Sequence, residues 1–264
     1  MCQNQTNQKW EHPDLQDQRY IEREGAKKIE ARISETSQSI LRKCDLFPVR
    51  IKSIDIQNQG VDYIIDLPEK RMFVDEKAAY CYWDRDLQTY AVEITNILNT
   101  NNHSGWFLNE RAITTHYLFV WPRSTEKTMQ HITRWEGILI EKELLKKLYH
   151  MIGYSKEELE TLVTERGKET KNTGKCFHLY KKYVNGCYES LRVFLATSHI
   201  EQNVNLVIPK SWLIPLASKH IIWEEDKGLV LNRDQTPDIP DSVKKICYQI
   251  KKNKLDKNEH KITA

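Results

Sequence analysis

Two acids and a lysine stand at a spacing that suits metal-assisted hydrolysis. Asp62 opens one alternating apolar segment, "VDYIIDL", and Asp75, Glu76 and Lys77 close the next, "RMFVDEK". A short Pro-containing turn joins the two. Paired as an antiparallel hairpin with an even loop, the segments set Asp62 opposite Asp75, Ile64 opposite Phe73 and Asp66 opposite Arg71. The apolar and opposite-charge pairs are favourable cross-strand neighbours, whereas like charges directly opposed are destabilising. The reverse face carries Val61, Tyr63, Ile65 and Leu67 with Met72 and Val74, which is core material. An odd loop would set Asp62 against Glu76 and mix the faces.

A divalent cation would relieve the repulsion between Asp62 and Asp75. Mg²⁺, or Mn²⁺ in its place, takes hard oxygen ligands, commonly one or two carboxylates with waters and a substrate phosphate. Lys77 lies on the same face and could orient or deprotonate an attacking water, and the pattern as a whole points to phosphodiester hydrolysis. The competing reading is structural: Asp62 begins a strand at its exposed end and "DEK" is a solvated strand terminus, because short acid patterns recur by chance.

The elements that must position these residues are legible in outline. Residues 17–44 place Ile21, Ala26, Ile29, Ile33, Ile40 and Leu41 at helical steps, which predicts a long amphipathic helix. Strands are predicted over 61–67, 72–77, 89–95 and 116–121, the last a continuous apolar run as in a strand covered on both faces. Beyond Pro122 the pattern predicts a mainly helical segment, with a capping box at Ser155 and Glu158. "FHLYKKYVNGCYESLRVFLATS" is read as turning from helix into strand. "NVNLVIP" is a strand, "KSWLIPLASK" a short helix, and "HIIWEE" with "GLVLN" a late hairpin.

With this setting the pattern resembles the PD-(D/E)xK nuclease superfamily, whose fold is the restriction-endonuclease-like one. Asp62 matches the family's first aspartate, with Val61 in place of its proline, and Asp75-Glu76-Lys77 matches the (Asp/Glu)-x-Lys triplet. "REGAKKIEARI" supplies Gly25 and Glu30 where members carry a helical glutamate, with Glu24 as a competitor, and "LQTYAVEI" supplies Gln88 where many carry a polar residue. The resemblance spans about residues 20–122. It implies an α/β fold with a mixed central sheet flanked by helices. It implies Asp62 and Asp75 as ligands of Mg²⁺ or Mn²⁺, joined by the Glu76 backbone carbonyl, with Lys77 positioning the water. Glu30 would be an extra carboxylate and Gln88 a water or phosphate contact. The implied activity is a metal-dependent nuclease acting on DNA. The alternative is a catalytically silent nucleic-acid-binding or scaffold subunit of the same fold.

The expected organisation is a flexible tail over 1–16, a nuclease-like domain over 17–232 with a helical insertion at about 124–188, and a basic segment over 233–264. The chain has 264 residues and a net charge of +3, too small to announce a nucleic-acid binder by itself. Six lysines between Lys244 and Lys257 read as a solvated helix end or frayed tail rather than a phosphate-binding arm. Lys168, Lys171 and Lys175 read as solvated. "YCYWDRDLQTY" is read either as a loop contacting nucleic acid or as turn packing, and Trp106, Trp121 and Trp212 as core. Six scattered cysteines, no apolar leader and no long apolar run predict a cytoplasmic protein with reduced thiols and no membrane span. Nine glycines and no phosphate-cradling motif argue against a nucleotide-binding loop, and the scattered histidines against zinc. Cutting two strands would call for two sites, hence a homodimer, though the sequence carries no interface signature.

Overall fold

The apolar stripe of residues 17–44 forms α1 (Leu15–Arg42), which buries Ile33, Ile40 and Leu41 against a sheet. The structure is a computed structural model that describes residues 15–96, 105–166, 176–184, 187–197 and 202–262. After α1 come β1 (Pro48–Arg50), a short α2 (Ile54–Gln57), β2 (Tyr63–Asp66), β3 (Arg71–Ala78), β4 (Thr89–Asn96), β5 (His116–Ser124) and β6 (Ile132–Glu141). Then follow α3 (Lys142–Ile152), α4 (Lys156–Arg166), β7 (Cys176–Val184), β8 (Cys187–Thr197) and β9 (Gln202–Pro209). The short α5 (Lys210–Leu213), β10 (Ala217–Glu224), β11 (Gly228–Asp234) and α6 (Asp241–Ile262) are the last of the described elements.

The protein is mixed α/β. Seven strands form a curled mixed sheet in the order β1-β2-β3-β5-β6-β10-β11, in which only β3 and β5 run parallel. Four more form an antiparallel sheet in the order β4-β9-β8-β7. Because strand side chains alternate between faces, the large sheet builds two cores. Tyr63, Ile65, Met72, Val74, Leu118 and Val120 face α1. Tyr117, Phe119, Trp121, Ile138 and Ile140 face the small sheet, with α3, α4 and α6 closing that core. Trp135 anchors α1, its Nε1 donating to Ser37 Oγ at 2.9 Å.

The β2–β3 hairpin has the even register. Ile64 opposes Phe73 and Asp66 opposes Arg71, and Leu67 and Lys70 exchange backbone hydrogen bonds around the two-residue turn Pro68-Glu69. Arg71 grips both oxygens of Asp66, at 2.6 and 3.2 Å. This exposed pair contributes little stability but favours the register.

Residues 124–188 are not a helical insertion. Among the described residues only α3 and α4 are helical there; "ITRWEGILIE" is β6, hydrogen-bonded to β5 and β10 on its two sides, and "CFHLYKKYV" pairs with "CYESLRVFLAT" as a hairpin. A short apolar run reads the same in a buried strand and a buried helix, and here the sheet neighbours decide. The capping box at α4 forms as predicted, Ser155 N donating to Glu158 Oε2 at 2.8 Å and Glu158 N to Ser155 Oγ at 3.2 Å.

Of the two readings of the basic C-terminal segment, the helix holds and the frayed tail does not: Lys245, Lys251 and Lys252 are exposed on α6. α6 buries Val243, Cys247 and Ile250, and Lys254 Nζ donates to the Gly153 carbonyl at 2.6 Å and to Glu158 at 2.5 Å. A buried charge cluster ties β6 to α5 and β10: Glu136 accepts from Lys210 Nζ at 3.0 Å and Arg134 at 3.2 Å, and meets His220 Nε2 at 3.1 Å. Lys168, Lys171 and Lys175 lie outside the described residues. No described helix is long and apolar enough to cross a membrane.

Candidate active site

Regular pairing of β2 with β3 stops at Tyr63 opposite Val74. Beyond it Asp62 takes over with its side chain: Oδ2 accepts the Glu76 backbone N–H at 2.8 Å. That contact brings the Asp62 carboxylate beside Asp75, within hydrogen-bonding reach of it. Asp75 is 4% exposed, and its Oδ1 meets Lys77 Nζ at 2.9 Å. The parallel register of β3 with β5 sets Asp75 beside Tyr117 and Lys77 beside Phe119, so both charges lie on the face that meets the small sheet.

Electrostatics follow from this crowding. Burial pushes the Asp75 carboxyl up to about 7; Lys77 pulls it down and neighbouring Asp62 pushes it further up. Burial works to lower the Lys77 amine, but the attraction of Asp75, with Asp62 and Glu93 behind it, outweighs burial and leaves the amine raised. Lys77 is therefore an ammonium at neutral pH. Its Nζ also stands 5.0 Å from the Trp106 ring centroid, a cation–π contact.

A cavity of about 360 Å³ opens over these groups, lined by Glu30 and Ser34 of α1, Arg50, Gly60, Tyr90 and Trp106 together with the carboxylates and lysine. Gly60 is required by geometry. Its φ is +77°, and a Cβ there would stand 2.7 Å from Thr114 Oγ1 and 3.7 Å from Asp75 Oδ2. Gly105 permits another close approach, since its Cβ would fall 2.5 Å from the Glu93 carbonyl; that contact seats Trp106 beside β4.

The sequence-predicted residues divide. Asp62, Asp75 and Lys77 come together. Glu30 reaches the mouth of the cavity, exposed overall yet surrounded enough that burial raises its carboxyl, with Lys77 lowering it and Asp62 raising it. Its competitor Glu24 pairs with Lys27 at 2.9 Å and does not line the cavity. Glu76 lines the cavity from the neighbouring face of the strand: its Oε2 accepts from Tyr63 OH at 2.7 Å, while its Oε1 is buried without a hydrogen-bond partner among the described residues. Burial pushes the Glu76 carboxyl up to about 7, against the Ser37 and Tyr63 hydroxyls, which lower it. Gln88 does not reach the site. It is exposed ahead of β4, which belongs to the other sheet, and its Nε2 donates to Asp86 Oδ2 at 2.8 Å.

Four contributors escaped sequence reading. Glu93 adds its charge to the field on Lys77 while accepting from Asn203 at 3.0 Å. Arg50 and Gly60 line the cavity, and Trp106, predicted as core, forms part of its wall. The signal for Glu93 was present, an acid in an otherwise apolar strand pattern, "YAVEI". Trp121 and Trp212 are core as predicted.

Among the described residues no group of three or more His, Cys, Asp or Glu side chains is arranged to hold a metal. Two carboxylates and a carbonyl nevertheless suit a hard divalent cation that keeps several waters. Buried Asp75 and half-buried Asp62 beside it are the oxygen donors such a cation would neutralise. Comparison with protein-family models, with curated proteins and with solved structures returns no match.

Proposed function

We propose that this protein is a metal-dependent nuclease of the PD-(D/E)xK type, hydrolysing phosphodiester bonds, with DNA as the substrate suggested by the family resemblance. On this reading α1, β2, β3 and β5 form the restriction-endonuclease-like core. The observation that carries the proposal is the approach of half-buried Asp62 to buried Asp75 at the point where strand pairing ends, with Lys77 ion-paired beside them in an open cavity. A purely structural hairpin has no need to bury one acid beside another.

Asp62, Asp75 and the Glu76 carbonyl would hold Mg²⁺ or Mn²⁺, which when bound supplies positive charge against the phosphate and lowers the pKa of a nearby water. Lys77, as an ammonium, orients the attacking water and offsets charge on a phosphate oxygen instead of accepting a proton. Arg50 adds a second cation on the cavity wall, where a phosphate would sit. The water oxygen forms the new P–O bond and gives up a proton to solvent, the P–O bond to the leaving sugar oxygen breaks, and that oxygen takes up a proton from solvent.

The test is incubation with plasmid and with single-stranded DNA, in Mg²⁺, in Mn²⁺ and in EDTA, alongside Asp75→Ala and Lys77→Ala. Cleavage that requires the metal and disappears in both variants supports the proposal. Cleavage that survives both places the activity elsewhere. No metal-dependent cleavage of any substrate favours the silent binding subunit.

A further inference from the structure

A second cavity, of about 410 Å³, adjoins the first and shares Ala78, Tyr80, Tyr90 and Ala91 with it as common wall. One side is the outer face of the small sheet. Leu191, Val193 and Leu195 point into the core, so Arg192, Phe194 and Ala196 point outward; Val204 and Leu206 point in, and Asn205 points out. The other side is the turn carrying Tyr80 and Tyr82 together with Leu87. The volume falls in the range of small-molecule sites, roughly 300–1,000 Å³. Its lining is mostly apolar and aromatic, with one guanidinium and one amide among the groups.

The same outer face continues towards the β7–β8 hairpin, where Lys181 Nζ lies 4.2 Å from the Tyr188 ring centroid and Tyr183 packs edge-on to Tyr188 at 5.0 Å. Tyr183 and Tyr188 are 62% and 65% exposed. Exposed rings interleaved with cations along an open sheet are what a flexible polyanion with stackable bases binds. A duplex keeps its bases inside its stack and offers none to a pocket.

We propose that the second cavity binds an unstacked nucleobase next to the phosphate to be cut, so that the substrate is single-stranded or unpaired nucleic acid. The base stacks against Tyr82 and Phe194, Arg192 meets the backbone, and Lys181 with Tyr188 guides the strand further out. This rests on the nuclease reading for the phosphate's place, but the binding itself can be measured without turnover.

The experiment measures fluorescence anisotropy of a labelled dT oligonucleotide and of a blunt duplex of equal length, both in EDTA, where no metal-dependent cleavage occurs. The single strand should bind more tightly than the duplex. Tyr82→Ala and Arg192→Gln should each weaken the single strand about fivefold to hundredfold and leave the duplex unchanged, while Tyr82→Phe retains binding. Tyr82 is 46% exposed, so its removal spares the core, and far-ultraviolet circular dichroism verifies the fold of each variant. Equal affinity for strand and duplex, or a single-strand affinity unchanged in both variants, overturns the inference. Retained strand binding by a protein that cleaves no substrate supports this site and overturns the nuclease proposal, so the two failures are distinguishable.

Discussion

Replacing Asp75 with Asn should stabilise the metal-free protein while abolishing the proposed metal-dependent cleavage. Asp75 rises from an ordinary 3.8 to about 7, a penalty of roughly three pKa units against its charged form. At 1.36 kcal/mol per unit this is about 4 kcal/mol at pH 8, and about 2 kcal/mol if relaxation and water penetration halve it. Asn mimics the neutral acid and escapes that penalty. For a carboxyl raised in the folded state, the stability it contributes is complete below pH 3.8 and is lost as pH rises through about 7. Asp75→Asn should therefore match the wild type near pH 4 and exceed it by about 2–4 kcal/mol at pH 8, read by urea unfolding in EDTA. Mg²⁺ should then raise the wild-type midpoint at pH 8 and leave that of the variant in place. Glu76, also raised to about 7, gives both proteins the same additional slope, so the difference between them isolates Asp75. A variant less stable than the wild type at pH 8 would refute the reasoning, because Asp75 would then be a structural partner of Lys77.

Three other outcomes follow from the geometry. Burial favours the neutral form of Glu136, but the His220 hydrogen bond and the Lys210 and Arg134 charges outweigh it and hold the carboxyl down to about 2. Its contribution is present above pH 4.5 and lost as pH falls towards 2. Glu136→Gln should lose about 3–5 kcal/mol at pH 7 and show a flatter acid limb in pH-dependent unfolding. Gly60→Ala forces an L side chain to φ +77° and against Thr114, and should cost about 1–3 kcal/mol in denaturant unfolding. Ile250→Ala, in the basic C-terminal helix, should cost about 2–5 kcal/mol by calorimetry, whereas a solvated tail would show no change.

Local pairing made the centre of the site readable. Side chains alternate along a strand with a period of two, so the residue types of "VDYIIDL" and "RMFVDEK" were enough to choose the hairpin register and to gather Asp62, Asp75 and Lys77 on one face. Helical steps likewise set Ile33, Ile40 and Leu41 inward and left Glu30 at the cavity mouth. Gln88 was misplaced because only the tertiary structure assigns β4 to a second sheet; a strand's sequence does not say which neighbour it joins. "GILIE" lies within the segment predicted as mainly helical yet is strand: a continuous apolar run has no diagnostic period once both faces are covered, and its sheet neighbours decide.

The amino-acid sequence by itself determined the hairpin, its register and the clustering of three charges, since those depend on contacts between residues fewer than twenty apart. Only the tertiary structure decided that the charges would be buried against a second sheet. It brought Glu93 and Trp106 to Lys77, docked α6 on the core, and set an aromatic cavity beside the carboxylates. Desolvation, which pushes Asp75 up to about 7, depends on everything that packs around a group, and no local pattern records it.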